Sequence, residues 1–311
     1  MEVEQLEEAL RVISSSISRI KWRLKLTSKR RLEIDILALC TGLRPLVMVD
    51  YGGKMPELQE HLCSVVKLSQ KLTRVAILEP LRVMVIDDMI YMLHSQGFAE
   101  YVRSSLNSEP ELLFIDLEQD PPKMVTNEDQ NSIAAQFESI QKVFSRVFAA
   151  DGTHKELDHP SYSQIGNVSN EKCPVGADIA SQPLEFSNLS SCLENSPVTI
   201  PTLNGWLLGY PVVYLFSKDH IADAVYNLST KSLHLFKILI SRNGESSNER
   251  KEELMSFSVP YDLSMGGKNE PWAEAFLARM LAKLENCKHV WRNLELEVKS
   301  ISTMSAAPPS V

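Results

Sequence analysis

The stretch 151–200 has no hydrophobic periodicity, and this break constrains the fold more than any other feature of the chain. It is rich in Ser, Asn, Pro, Asp and Glu and holds few apolar residues. Such a stretch buries too little apolar surface to offset the entropy lost on ordering, and structureless loops of this length are uncommon inside a compact domain. We therefore predict a disordered insert at 151–200 within one domain that spans residues 1–311, and a disordered tail at 303–311.

Short apolar runs alternate with amphipathic helical patterns before the insert. Residues 46–49 form an apolar run between a proline and a glycine-containing turn, which is typical of a buried strand. A helix is predicted over 56–72, with a proline in its first turn. Further strands are predicted over 75–78 and 81–86. The first two strands would flank the helix as in a βαβ unit, and the third would pair with the second as a hairpin.

Two helices and a strand are predicted between the hairpin and the insert. The first helix covers 89–106, since Asp87 or Asp88 can cap it. A strand follows over 112–117, and the second helix covers 127–149, where apolar residues recur at helical spacing.

The pattern after the insert favours antiparallel strands and a closing helix. Residues 207–216 are predicted as a strand, although the proline within it indicates an edge or a bulge. Strands over 233–240 and 254–259 can pair antiparallel across a polar loop. The spacing of apolar residues over 270–300 predicts the last helix. Together these elements predict an α/β fold with a single mixed sheet, parallel in its N-terminal part and antiparallel in its C-terminal part, with helices on both faces.

The charge and the cysteines indicate an intracellular protein. The net charge is −8, so the protein as a whole is not expected to attract nucleic acid. The five cysteines form no metal-binding spacing, and their odd number fits a reducing compartment. No run approaches the length of a membrane helix. We expect a cytoplasmic protein without a membrane partner, and the basic stretch 19–31 would permit entry into the nucleus.

Asp50, Tyr51, Gly52 and Gly53 are the first candidate site. A carboxylate at the end of a buried strand, followed by glycines and a helix start, occupies the place where α/β proteins put ligands. The glycines would let a ligand approach backbone amides near a helix N-terminus. The stretch lacks the glycine-rich phosphate-loop signatures. The alternative is that Asp50 accepts loop hydrogen bonds and the glycines supply a turn.

Asp116 is the second candidate because it lies in an otherwise apolar strand, where a carboxylate needs a partner or has a perturbed pKa. Together with Asp50 and the Gly209-Tyr210 segment it could form an acidic cleft at the strand ends. The alternative is that Asp116 already lies at the exposed end of its strand. No metal-binding or cofactor motif is complete, so we expect no bound metal and no cofactor.

Three stretches carry a resemblance to a known family. They are Leu43-Arg44-Pro45-Leu46-Val47-Met48-Val49-Asp50, Leu207-Leu208-Gly209-Tyr210-Pro211-Val212-Val213-Tyr214-Leu215-Phe216 and Ser256-Phe257-Ser258-Val259-Pro260. In order and spacing they resemble a eukaryotic family of unknown function that includes a human chromosome 1 open-reading-frame protein. The resemblance covers roughly 30–300 and implies a shared fold and an intracellular setting. The family has no established activity, so the resemblance assigns no site residue.

Two functions stay open on the sequence alone. The favoured one is a non-catalytic protein that acts through a protein partner, because no catalytic constellation is complete. The alternative is a small-molecule binder or a metal-assisted hydrolase with the acidic cleft as its site, since carboxylates are the only chemically suggestive groups. The sequence does not decide whether the protein is an enzyme.

Overall fold

The computed structural model describes residues 3–72, 76–107, 112–125, 132–148, 186–243 and 251–302. Helices and strands alternate along these ranges, as expected of an α/β protein. The helices are α1 (Val3–Arg19), α2 (Leu26–Cys40), α3 (Glu57–Leu72), α4 (Ser95–Leu106), α5 (Ser132–Val147), α6 (Ile200–Leu207), α7 (Ile221–Thr230) and α8 (Pro271–Glu285). Within the described ranges, no helix has the length and apolar character needed to cross a membrane.

Within the described ranges the strands form three separate sheets, so the prediction of a single mixed sheet is wrong. The strands are β1 (Leu46–Met48), β2 (Leu81–Ile86), β3 (Met89–His94), β4 (Leu113–Asp116), β5 (Lys123–Met124), β6 (Phe186–Asn188), β7 (Val212–Leu215), β8 (Leu233–Arg242), β9 (Lys251–Pro260) and β10 (Trp291–Ile301). Their orders are β1-β3-β2-β6, β5-β4-β7 and β10-β8-β9. Local hydrophobic patterns identify strands, whereas strand pairing depends on contacts between distant parts of the chain, which the patterns do not encode.

The first sheet is built around a β2–β3 hairpin whose turn is Asp87-Asp88. Ile86 pairs with Met89, and Asp87 has a positive φ of 50°, a conformation that Asp tolerates and tight hairpin turns need. The predicted helix over 89–106 is therefore wrong in its first part, because Met89–His94 is a strand and α4 begins at Ser95.

The predicted βαβ unit is also wrong, because β1 pairs antiparallel with β3. Within the predicted strand over 75–78, Ala76–Leu78 is a 3-10 helix. The side-chain amide of Gln70 donates to the carbonyls of Glu79 and Leu81 at 2.9 and 3.2 Å, which holds this part of the chain in a turn.

Alternate side chains of β2 face two different apolar clusters. Val83 and Val85 pack with buried residues of α1, α2 and α3, whereas Met84 and Ile86 pack with those of α4, α5 and α6. The first sheet is thus covered by helices on both faces, which explains why its strands are continuous apolar runs.

The second sheet joins β4 to β7 in parallel and to β5 antiparallel. Only Val212–Leu215 of the strand predicted over 207–216 is extended, because α6 precedes it. Thr199 caps the N-terminus of α6 through its hydroxyl, and Gly209 follows the helix with a φ of 74°. Such a left-handed glycine is a common way to end a helix.

The third sheet is antiparallel, and β8 pairs with β9 as predicted. α8 lies over this sheet, where Phe276 and Met280 share an apolar cluster with Phe236 and Trp291. The predicted helix over 270–300 ends at Glu285, and β10 pairs with β8. In β10, Leu294, Leu296 and Val298 alternate with charged or exposed residues, which is a strand period that follows a helical one.

The end of the predicted insert lies within the described residues. There β6 pairs in parallel with β2, with Phe186 opposite Val83. Residues 151–185 of the insert and the tail at 303–311 lie outside the described residues, so the disordered insert and tail stay predictions.

Candidate functional site

A β-bulge in β9 accepts hydrogen bonds from two arginines that come from the N-terminal half of the chain. Met255 faces Ile238 and Glu253 faces Leu239, which leaves Leu254 as the extra residue. A bulge leaves its extra residue unpaired in the ladder. The carbonyl of Leu254 instead accepts from Nη1 of Arg44 at 2.6 Å and from Nη2 of Arg31 at 3.5 Å.

Arg44 is the most unusual of these side chains. It lies between α2 and β1 and is only 4% exposed. Its Nε is buried and has no hydrogen-bond partner among the described residues. Burial lowers the pKa of Arg44, and the charge of Arg31 adds to this, although Tyr210 and Asp35 oppose it. The Nε–H of Arg44 is therefore a buried donor left without an acceptor, which is costly.

Arg31 also belongs to a buried polar network behind Arg44. Its Nε donates to Oδ2 of Asp35 at 3.1 Å, and the hydroxyl of Tyr51 donates to the same oxygen at 2.7 Å. Asp35 is 1% exposed, and burial raises its pKa against the opposing effect of Arg31 and Arg44. The network fixes the phenol ring of Tyr51 and the turn after β1.

An inner cavity of about 270 Å³ opens in front of this network. Its polar wall holds two carboxylates, Asp50 and Glu253. Glu253 accepts from Lys237 at 2.7 Å and from the hydroxyl of Ser256 at 2.8 Å. Asp50 is exposed at the rim and has no ion-pair or hydrogen-bond partner among the side chains described here. The residues that line this cavity are Arg31, Arg44, Val47, Met48, Asp50, Tyr51, Leu208, Tyr210, Glu253, Met255 and Ser256.

An outer cavity of about 500 Å³ adjoins the inner one. Both cavities are lined by Arg44, Tyr210 and Met255, so these three side chains form a shared wall. The other walls come from the end of α2, from α4 and from α8. Phe276 and Met280 make part of the α8 wall apolar.

The outer cavity has an excess of positive charge. Arg44, Arg279 and Lys283 line it, against the single carboxylate of Glu100. Lys283 is half-buried, and its side chain makes no ion pair or hydrogen bond with any residue in the described ranges. Burial lowers the pKa of Lys283, and repulsion from Arg279 and Arg44 lowers it further. An anion in this cavity would offset that repulsion.

The structure brings several of the predicted site residues to these cavities. Asp50, Tyr51 and Tyr210 line the inner cavity, and Gly209 and Tyr210 line the outer one. Gly209 lies against Pro45, since a Cβ at this position would come within 3.0 Å of the proline ring. Its role is thus to bring the chain before β7 close to the chain before β1.

Gly52 and Gly53 lie in the turn after β1 but line neither cavity. The carbonyl of Gly52 accepts from Nε1 of Trp22 at 2.6 Å. A Cβ at Gly52 would approach Leu24 and Trp22 to 2.7 and 2.8 Å. Gly52 therefore packs against the chain between α1 and α2.

Asp116 lines neither cavity, and the structure does not bring it together with Asp50. It lies at the end of β4, where its carboxylate accepts from the backbone N–H of Glu118 and from the side chain of Gln119, both at 2.9 Å. The described ranges contain no group of three or more His, Cys, Asp or Glu placed to hold a metal ion.

Arg44 and Lys283 are cavity residues that the sequence pattern did not single out. Arg44 is the one charged residue of the apolar run from Leu43 to Val49. A charge within an apolar run is expected to be buried and to need a partner. Arg279 and Lys283 are like charges four residues apart on one helix, a pair that destabilises a helix. Neither signal indicates that the three cations share a cavity.

Comparison with known proteins identifies one family. The family model of Domain of unknown function (DUF4504) matches residues 14–307. This range includes every residue of both cavities. No curated protein and no solved structure matches the chain.

Proposed function

The chain belongs to the DUF4504 family, a domain of unknown function, and we propose that it binds a small organic anion in the two cavities that meet at Arg44. The proposal rests on the buried guanidinium of Arg44, whose charge belongs to the wall that both cavities share. A buried charge without a counter-charge is costly, and a carboxylate or phosphate group in either cavity would offset it.

Size and charge support the same ligand class. The outer cavity, at about 500 Å³, falls within the range of small-molecule sites. Three cations face one carboxylate there, and Phe276 and Met280 offer apolar contact. The ligand would place its anionic group against Arg44 and Lys283 and its carbon skeleton against α8. The metal-assisted hydrolase is not favoured, because Asp116 does not line the cavity that Asp50 lines.

Three simple anions test the proposal: ethyl phosphate, phenyl phosphate and butyrate. Binding to the native state raises its stability by RT ln(1 + [L]/Kd), so at least one should raise the melting temperature of the full chain in a saturable way. Lys283→Gln should weaken this ligand about tenfold, a change of about 1.4 kcal/mol.

Lys268→Gln is the matched control, because Lys268 is exposed and lies outside both cavities. It removes the same charge and should leave affinity unchanged. If none of the three anions stabilises the wild-type chain at millimolar concentration, or if both variants weaken binding equally, the proposal is overturned.

A protein partner remains a second proposal, supported by the exposed apolar face of α7. Ile221, Val225 and Tyr226 are 49, 60 and 55% exposed, and exposed apolar groups of this kind mark interaction sites. A Val225→Glu variant that keeps every interaction of the wild-type chain in cross-linking experiments would contradict it.

The cytoplasm, with access to the nucleus, is the compartment we propose. Cys40 and Cys287 are thiols outside any disulfide, which supports a reducing environment. We also propose that the family is eukaryotic and includes the human chromosome 1 open-reading-frame protein, on the three sequence stretches that carry the resemblance.

A further inference from the structure

We infer that the ligand is dipolar: an anion that also carries a positively charged amino group, with the anionic end in the outer cavity and the amino end in the inner cavity. This inference rests on the proposed function and names the class of molecule that the same site would accept.

The first step is that each cavity is lined by a charged side chain without an oppositely charged partner. In the inner cavity, Arg31 is paired with Asp35, and Glu253 is paired with Lys237. Asp50 then remains as a carboxylate without a partner among the residues described. In the outer cavity, the unmatched charge is that of Lys283, and Arg44, which lines both cavities, adds a positive charge at the shared wall.

The second step is the border between the cavities. Arg44, Tyr210 and Met255 line both of them, and the inference places the ligand across these three side chains. The hydroxyl of Tyr210 makes no hydrogen bond to the described part of the chain. It can donate to, or accept from, the middle of a ligand that crosses from one cavity to the other.

Opposite unmatched charges at the two ends of one site select for a molecule with opposite charges at its two ends. A simple anion would leave Asp50 unpaired, and a simple amine would be repelled by Arg44 and Lys283. Amino acids and aminoalkyl phosphates have the required arrangement.

The test compares aminoalkyl phosphates of two to six carbons with alkyl phosphates of equal length, by calorimetry on the full chain. At one length or more, the amino compound should bind about fivefold tighter, which is what an ion pair at an exposed carboxylate such as Asp50 contributes. Asp50→Asn should remove this advantage, so that the amino compound and the alkyl phosphate of equal length bind this variant equally.

Asp88→Asn is the control, because Asp88 is an exposed carboxylate in the β2–β3 turn and lines neither cavity. It should keep the full advantage. If alkyl phosphates bind as tightly as their amino counterparts at every length, or if Asp50→Asn leaves the advantage intact, the inference is overturned while the proposed function stands. If phosphates of neither kind bind, the proposed function fails and the inference fails with it.

Discussion

The buried carboxylate of Asp35 anchors side chains that line the inner cavity. Its carboxylate is buried beneath the inner cavity, and it receives donors from Arg31 and Tyr51. One of its oxygens, Oδ1, has no partner among the described residues. A carboxylate in this position depends strongly on each donor that it keeps.

Removing the donor from Tyr51 should therefore be costly. Tyr51→Phe leaves Oδ2 of Asp35 with one fewer hydrogen bond in a buried setting, and we expect a loss of about 1–3 kcal/mol in the free energy of unfolding. Urea denaturation measures this loss. Tyr226→Phe is the control, because Tyr226 is exposed; its effect should stay below about 0.5 kcal/mol. Equal effects of the two variants would show that the network does not stabilise the fold.

Arg44 and Asp50 also show what the sequence can reveal about a single residue. Asp50, Tyr51, Gly209 and Tyr210 were predictable because each adjoins a strand-like run. Arg44 stood out as a charge among apolar residues, but its meaning depends on the carbonyl of Leu254, more than two hundred positions away in the chain. Such a contact has no local signature.

Two glycines with a left-handed backbone conformation, each following a helix, help to bring the elements of the site together. Gly42 follows α2 with a φ of 72°, and Gly209 follows α6 with a φ of 74°. Both line the outer cavity. They differ in their surroundings, since a Cβ at Gly42 would meet nothing within 4 Å, whereas one at Gly209 would meet Pro45 at 3.0 Å.

Alanine substitutions at these two glycines therefore distinguish the cost of backbone strain from the cost of a steric clash. Gly42→Ala should lower the free energy of unfolding by about 1–2 kcal/mol, the cost of a left-handed residue with a side chain. Gly209→Ala should cost more, because the chain before β1 must also move. Chemical denaturation of both variants measures the difference. A Gly209→Ala variant no less stable than Gly42→Ala would contradict the close approach of these segments.

Helices and strands were predictable where one hydrophobic period persisted along the chain. The predictions failed where the period changed. The strands at 81–86 and 233–240 were expected and are present as β2 and β8. The helix expected over 89–106 begins with a strand because Asp87-Asp88 forms a hairpin turn and not a helix cap. The helix expected over 270–300 includes a strand because Trp291 and Leu294 continue the helical spacing by coincidence. Period alone does not show where a helix gives way to a strand.

The candidate site combines residues from separate layers of the fold. Asp50 and Tyr51 follow the first sheet, Tyr210 precedes the second, Glu253 and Met255 lie on the third, and Lys283 lies on α8. The sequence predicted α/β content but not three sheets, and the cavities exist only where these layers meet. This is why part of the candidate site was predictable and its cationic wall was not.

Anion binding in such a site should depend on pH through Lys283. The pKa of Lys283 lies below its ordinary value of 10.5 in the free protein, and a bound anion raises it by stabilising the charged amine. Affinity is therefore greatest while the amine is protonated and falls as the pH rises through the lowered pKa. Tyr101 and Tyr210 stay protonated there, since burial raises the pKa of both.

Calorimetry with ethyl phosphate from pH 7.5 upwards measures this dependence, because the phosphate is already a dianion throughout that range. We expect affinity to begin falling below pH 10.5 in the wild-type chain. The fall should be absent in Lys283→Gln. The same fall in both proteins would assign the titration to another group.

The buried guanidinium of Arg44 is central to the proposed site, and its Nε–H resonance reports directly on a charge placed beside it. In the full chain with ¹⁵N-labelled arginine, the Nε–H resonance of Arg44, assigned with an Arg44→Lys variant, should shift on addition of ethyl phosphate. The shift should saturate with the dissociation constant that calorimetry gives. Saturable binding of ethyl phosphate that leaves this resonance unmoved would contradict the account.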